Sequence, residues 1–158
     1  TKTQPESQSQ VFLLHDRSNL YVKWVKKTPK LAEMRTEKLP KVGRDKLWST
    51  AEADSQMTFE LFIAPPARDK YFQLAVNQHA LIYDAQGYDS KVDTRMTADV
   101  RKTAEAIEVI YSIPLEDLGV NVNTGNRLGA LFYCEGSSWM GGNVHAMAAF
   151  NDLYLKME

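Results

Sequence analysis

Five residues of this chain have side chains suited to holding a ligand without reacting with it. Trp48 and Trp139 lie in predicted loops beside turn-forming residues, where a tryptophan that only fills a core is less expected. An indole ring offers a flat apolar plane to one face of a ligand. Three polar residues lie on or near predicted strands: Gln73, Asn77 and Arg127. Their planar amide and guanidinium groups can form hydrogen bonds with polar groups at the edge of a ligand. The structural alternatives are tryptophans that plug the core and polar groups that bond only within the sheet.

The sequence carries no signature of catalysis. It has no Gly-x-Ser-x-Gly motif, no P-loop and no dinucleotide fingerprint, and its three histidines have no zinc-ligand spacing. Cys134 is the only cysteine and belongs to an apolar strand phrase, so we expect a buried, inert thiol. These observations predict a protein that is not an enzyme.

Length and charge indicate a single domain that does not bind nucleic acid. The chain has 158 residues, with 19 basic and 20 acidic side chains and a net charge of -1. No apolar run approaches the roughly 18 residues of a membrane span. Residues 1–10 are polar and are predicted to be a linker or a flexible N-terminus. Residues 11–158 are predicted to form one domain, part of a larger chain.

Short segments in which apolar and polar residues alternate recur about every ten positions, and no segment shows a long helical period. This pattern predicts an all-β, antiparallel two-sheet β-sandwich of the jelly-roll type. The segment over residues 114–119 starts with proline and ends with glycine, which predicts one short helical turn over 114–118 that ends at Gly119. The predicted strands cover residues 11–16, 20–25, 57–63, 71–77, 80–84, 92–100, 103–113, 127–134 and 148–155.

The second predicted strand combines a core residue with a charged surface. Trp24 is expected to lie in the core because its neighbours alternate around it. Lys23, Lys26 and Lys27 are expected to protect an exposed sheet edge, since a charged side chain discourages pairing with another chain.

Three strand phrases, in their order and spacing, resemble the family 9 carbohydrate-binding modules and their wider β-sandwich relatives. Residues 59–62 read Phe-Glu-Leu-Phe, and residues 72–77 read Phe-Gln-Leu-Ala-Val-Asn. Residues 110–115 read Ile-Tyr-Ser-Ile-Pro-Leu, with Leu-Gly at 118–119. The resemblance extends from Val11 to Lys156. It implies a non-catalytic module that holds a mono- or oligosaccharide between loop aromatics at one end of the sandwich, in a secreted, periplasmic or cell-surface protein.

The resemblance also implies roles for particular residues. In the family two tryptophans clamp the terminal sugar, and by order Trp48 and Trp139 match them. Glu60 aligns with a strand glutamate of the family, and its alternative is an ordinary outward residue of the ladder. The implied ligand-binding set is Trp48, Trp139, Gln73, Asn77, Arg127 and Glu60.

The chain departs from the family pattern ahead of the Glu60 strand. The family has acidic residues there, whereas this chain has Gln56, Met57 and Thr58. The loop over residues 135–142 is also unusually rich in glycine and serine. These departures leave the fold inference unchanged and leave the sugar specificity open.

No cofactor is expected, although the resemblance leaves a structural calcium ion open. Carboxylates near turns could supply its ligands, without an Asp-x-Asp-x-Asp-Gly run. Those carboxylates are Asp16, Asp84, Asp89 and Asp152.

Two alternative functions remain open at this point. Some relatives of the same sandwich bind haem through methionine with histidine or lysine, and the chain has Met34, Met140, Met147 and His145. The other alternative is a structural or protein-interaction module of a larger extracellular protein.

Overall fold

The computed structural model describes residues 8–36, 47, 57–67, 69–123, 127–136 and 151–155. Within these ranges the backbone forms nine strands and a short 3-10 helix over Pro29–Ala32. The strands are β1 (Gln8–His15), β2 (Asn19–Lys27), β3 (Met57–Ala64), β4 (Phe72–Asn77), β5 (Ile82–Gln86), β6 (Thr97–Lys102), β7 (Ile107–Pro114), β8 (Arg127–Gly136) and β9 (Asn151–Tyr154).

The strands form two antiparallel sheets, which confirms the predicted all-β sandwich. One sheet has four strands in the order β1-β2-β7-β6. The other has five strands in the order β5-β4-β3-β8-β9. The predicted hairpins are present, because β1 pairs with β2 and β4 pairs with β5. No described segment forms a helix that is long and apolar enough to cross a membrane.

The boundary between β6 and β7 differs from the sequence prediction. The expected strand over 103–113 begins only at Ile107, and β6 occupies 97–102 rather than 92–100. The hydroxyl of Thr103 accepts a hydrogen bond from the backbone N–H of Ala106 at 3.0 Å. Residues 103–106 therefore form the turn between two paired strands, because a threonine side chain can close a turn on its own backbone.

Alternate residues of the two sheets meet in one core. Trp24 is buried there, as predicted, and its ring packs edge-on against Phe59 and Phe132 with centroids 5.7 and 5.8 Å apart. The hydroxyl of Tyr111 on β7 donates a hydrogen bond to the carbonyl of Phe59 on β3. Burial raises the pKa of the Tyr111 hydroxyl, so it remains a proton donor that joins the two sheets.

The short turn after β7 forms as predicted. The backbone N–H groups of residues 117, 118 and 119 each donate to the carbonyl three residues earlier. Gly119 has φ +68°, a left-handed conformation that suits a residue without a Cβ. The turn therefore ends where the sequence places its glycine.

Two expectations about individual side chains were wrong. Lys23, Lys26 and Lys27 do not protect a sheet edge, because β2 is an interior strand between β1 and β7. The ammonium of Lys23 instead lies 3.0 Å from a carboxylate oxygen of Glu108 on β7. Cys134 packs against the core but is half-buried rather than buried, since it lies near the end of β8.

Candidate functional site

The face of the five-stranded sheet that points away from the core carries Glu60. On β3, Phe59 and Leu61 belong to the core, so Glu60 between them points to the opposite side. Strand pairing places Glu60 beside Ala75 of β4 and Tyr133 of β8. We call this side of the sheet the outer face.

The other described polar candidates lie on the same outer face. Gln73 and Asn77 lie two positions on either side of Ala75, so all three share one face of β4. Arg127 lies six positions before Tyr133 on β8 and shares its face for the same reason. The structure therefore brings Glu60, Gln73, Asn77 and Arg127 to one side of one sheet.

Glu60 and Gln73 are in direct contact. The Nε2 atom of Gln73 donates a hydrogen bond to Oε2 of Glu60 at 2.8 Å. The two residues are diagonal neighbours across β3 and β4, a separation that long side chains can span. Glu60 is 4% exposed, whereas Gln73 is half-buried. Because the buried carboxyl group holds one amide N–H, the orientation of the more exposed Gln73 amide is fixed.

Aromatic side chains lie next to this pair. Phe62 and Tyr71 are buried on the outer face, with ring centroids 6.3 Å apart, and the half-buried Tyr133 packs against their cluster. Burial, followed by the nearby Tyr88, raises the pKa of the Tyr71 hydroxyl. Sequence reasoning did not identify Tyr133 and Tyr71 as neighbours of this pair. The only available signal was alternation along each strand, and alternation cannot show which residue of a neighbouring strand lies alongside.

Asn77 has a structural role at one end of the outer face. It is buried, and its side-chain oxygen accepts hydrogen bonds from the backbone N–H groups of His79 and Leu81 at 3.0 and 3.1 Å. These bonds hold the turn between β4 and β5, where Ala80 has φ +59°. Asn77 lies four residues from Gln73, about 13 Å along the strand. Its expected contact with a ligand stays a prediction.

Arg127 lies at the other end of the outer face. Its side chain is exposed, and one guanidinium nitrogen lies 2.9 Å from a carboxylate oxygen of Asp152 on β9. The hydrogen bond from Asp152 raises the pKa of the Arg127 guanidinium, which remains charged. Gln73 on β4 and Leu131 on β8 both pair with Phe62 of β3, so they lie level across the sheet. Leu131 is about 13 Å from Arg127 along β8. Arg127 is therefore separate from the Glu60 and Gln73 pair.

The two predicted clamp residues, Trp48 and Trp139, lie outside the described residues. The strand ends nearest to them in sequence are adjacent, because Met57 at the start of β3 pairs with Gly136 at the end of β8. Trp48 precedes Met57 by nine positions and Trp139 follows Gly136 by three. Glu60 lies three residues from Met57, so it is close to the same end of the sheet.

The residues considered for calcium have separate roles. Asp84 is buried and accepts a hydrogen bond from the Thr94 hydroxyl at 2.8 Å. Asp16 accepts two backbone N–H groups of its own turn at 2.7 Å, and these bonds lower its pKa. Asp89 accepts a backbone N–H in another turn, and Asp152 bonds Arg127. No three histidine, cysteine, aspartate or glutamate side chains in the described part of the chain could hold a metal ion together.

The residues considered for haem are only partly described. Met34 is buried in the sandwich core among the residues of both sheets. Met140, Met147 and His145 lie outside the described residues. Within the described residues the geometry therefore gives the haem alternative no support.

A cavity of about 670 Å³ lies at the far end of the sandwich, between the β1–β2 turn and residues 114–123. Arg95 on its wall bonds Asp117 and Glu116, so its charge is neutralised. Arg17 and Asn121 also line this cavity. None of the residues predicted from the sequence to bind a ligand is among its described lining residues.

Neither a protein-family model nor a curated protein sequence matches this chain. Among solved structures, the chain is similar to a "putative carbohydrate-binding protein" from Bacteroides uniformis ATCC 8492. The two share 13% sequence identity with a TM-score of 0.65, over 95% of this chain and 79% of the other. At this level of identity the similarity shows a shared β-sandwich fold.

Proposed function

We propose that this protein is a non-catalytic carbohydrate-binding module, similar to the family 9 modules. The bound mono- or oligosaccharide would lie at the end of the outer face where β3 begins and β8 ends, between Trp48 and Trp139. The hydrogen bond between Glu60 and Gln73 is the observation that carries this proposal, because it fixes the Gln73 amide against Glu60, whose neighbour on β8 is the aromatic residue Tyr133.

The chemistry of a sugar fits this arrangement. A sugar ring has an apolar face, which an aromatic plane can cover, and a rim of hydroxyl groups, which amides and carboxyl groups can bond. The Gln73 amide has a carbonyl acceptor and a second N–H besides the one given to Glu60. Because Glu60 already restricts the Gln73 side chain, ligand binding would cost less conformational entropy.

The comparisons support the proposal at the level of the fold. The structural neighbour from Bacteroides uniformis is named for carbohydrate binding, and the ordered strand phrases of this chain resemble family 9 modules. From the same resemblance we propose a jelly-roll connection of the strands and a secreted, periplasmic or cell-surface location. We also propose that the domain belongs to a larger polypeptide and needs no cofactor.

The test is calorimetric titration with a panel of mono- and oligosaccharides, with and without calcium. We expect saturable heat with a dissociation constant on the order of micromolar to millimolar. Trp139→Ala should abolish the heat. Gln73→Ala should weaken binding roughly 5- to 30-fold, which is the loss of about 1–2 kcal/mol of hydrogen bonding. Gln86→Ala is the matched control, since Gln86 is also half-buried but lies on the edge strand β5 in register with the core residue Phe72.

Two results would reject the proposal. A flat response across the panel from a folded sample would reject carbohydrate binding. Binding heat that is unchanged in both Trp139→Ala and Gln73→Ala would reject the outer face as the binding site. The cavity lined by Arg17 and Asn121 would then be the next candidate site.

A further inference from the structure

The edge strand β1 differs from the other sheet edges that the structure describes. Edge strands present unpaired backbone groups, and proteins usually protect them with charges, proline, bulges or short length. Strand β6 carries Asp99, Arg101 and Lys102, β5 contains Asp84, and β9 has four residues including Asp152. Strand β1 reads Gln-Ser-Gln-Val-Phe-Leu-Leu-His, with no acidic residue, lysine, arginine or proline.

Strand β1 is also long and regular. Its eight residues pair one-to-one with β2, from Gln8 opposite Lys27 to His15 opposite Leu20, so it contains no bulge. No strand within the described ranges pairs with its other side. The strand therefore has the features of an edge that accepts a further strand.

Apolar side chains of β1 are exposed on both faces. Phe12 is 54% exposed and Leu14 is 70% exposed, and both point away from the core. Leu13 is 37% exposed although it pairs with Val22, which is fully buried in the core. The sandwich core is therefore incompletely covered at this edge.

We propose that β1 pairs antiparallel with β1 of a second copy of this chain, with a two-fold axis at Phe12. Such an axis runs perpendicular to the four-stranded sheet and keeps the sides of the two copies' sheets that point away from the core on one side, so paired residues must share a face. Phe12 then lies opposite Phe12, Val11 opposite Leu13 and Gln10 opposite Leu14. The two four-stranded sheets become one sheet of eight strands.

This register uses nearly the whole of β1. Residues 9–15 of each copy pair, and the partner's Val11 covers the exposed side of Leu13. The two Phe12 rings meet at the axis, where an aromatic pair adds to the burial. A second copy of the uncharged strand β1 is a better partner for β1 than a charged edge strand would be. Pairing with a charged strand would bury its charge without water or an opposite charge.

The interface is small, so the dimer should be weak. The exposed parts of Phe12, Leu13 and Leu14 amount to roughly 300 Å² per copy, below the roughly 800 Å² per partner of a stable complex. Backbone hydrogen bonds along seven paired residues add to this apolar burial. We therefore expect dissociation at low micromolar protein concentration and dimers toward the millimolar range.

Sedimentation equilibrium over roughly 10 µM to 1 mM tests the proposal. The unmodified protein should show a concentration-dependent dimer. Phe12→Lys places two like charges opposite each other at the axis and should give a monomer throughout, with an unchanged circular dichroism spectrum. Ile110→Lys is the control, because Ile110 is 39% exposed on the same face but lies on the interior strand β7. It should leave the dimer intact.

A monomer at every concentration would overturn the proposal. Loss of the dimer in both Phe12→Lys and Ile110→Lys would also overturn it, since that result indicates packing through the sheet face rather than pairing at the edge.

Cross-linking tests the register. In Phe12→Cys the two paired Cα atoms would lie about 4.5–5.5 Å apart, within the range of a disulfide, so oxidation should give a covalent dimer. In Leu14→Cys the two new thiols would lie about 13 Å apart, and no comparable cross-link is expected. Both variants retain Cys134, which therefore cancels in the comparison. Equal cross-linking of the two variants would refute the two-fold axis at Phe12.

Discussion

The hydrogen bond between Glu60 and Gln73 can be measured without knowing any ligand. A double-mutant cycle compares Glu60→Ala, Gln73→Ala and the variant with both changes. Glu60→Ala also removes packing from a buried position, so its own effect includes more than the hydrogen bond. The cycle subtracts that contribution and isolates the coupling between the two side chains.

The structure sets the size of the expected coupling. A hydrogen bond to a charged acceptor contributes about 1.5–3 kcal/mol, and a neutral one contributes about 1 kcal/mol. The 2.8 Å distance and the burial of Glu60 favour a strong bond. Half-buried Gln73, however, can bond water once Glu60 is removed, which reduces its loss. We therefore expect a coupling free energy of about 1–2 kcal/mol.

Urea unfolding of the four proteins at neutral pH measures this coupling directly. A change of about 1 kcal/mol in the free energy of unfolding shifts Tm by roughly 2–4 °C for a chain of this size, so thermal unfolding gives an independent check. Additive effects, within about 0.5 kcal/mol, would show that Glu60 does not hold the Gln73 amide. That outcome would refute the argument that the outer face presents a preorganised polar group.

Two further predictions concern the fold. Tyr111→Phe removes the hydroxyl that bonds the carbonyl of Phe59 and should lower the free energy of unfolding by about 1–2 kcal/mol, whereas the exposed Tyr154→Phe should leave it unchanged in the same urea titration. Hydrogen bonds from Arg95 hold the pKa of the Asp117 carboxyl below its usual 3.8, so this pair stabilises the fold above pH 3.8 and loses that contribution as the pH falls through the lowered pKa. Asp117→Asn should therefore lower Tm at pH 7, and the difference in Tm from the unmodified protein should shrink in thermal melts as the pH falls below 3.8. A difference in Tm that stays constant with pH would contradict this assignment.

Local patterns in the sequence determined the elements of this protein. Alternation predicted the strands and hence the two-sheet sandwich, because a strand with one face in the core must change polarity at every residue. The turn that ends at Gly119 and the burial of Trp24 followed from equally local information. The start of β7 was placed too early because a threonine that closes a turn resembles a strand residue in sequence.

Only the tertiary structure decided which strands are neighbours and in which register. It placed β2 in the interior and β1 at an edge, which reversed the expectation that the lysines of β2 protect an edge. It also brought Glu60 beside Tyr133, which is 73 positions away in the chain, and separated Arg127 from Gln73. A strand's own pattern shows which face is buried but carries no information about its partner, because pairing depends on contacts between segments that are distant in sequence.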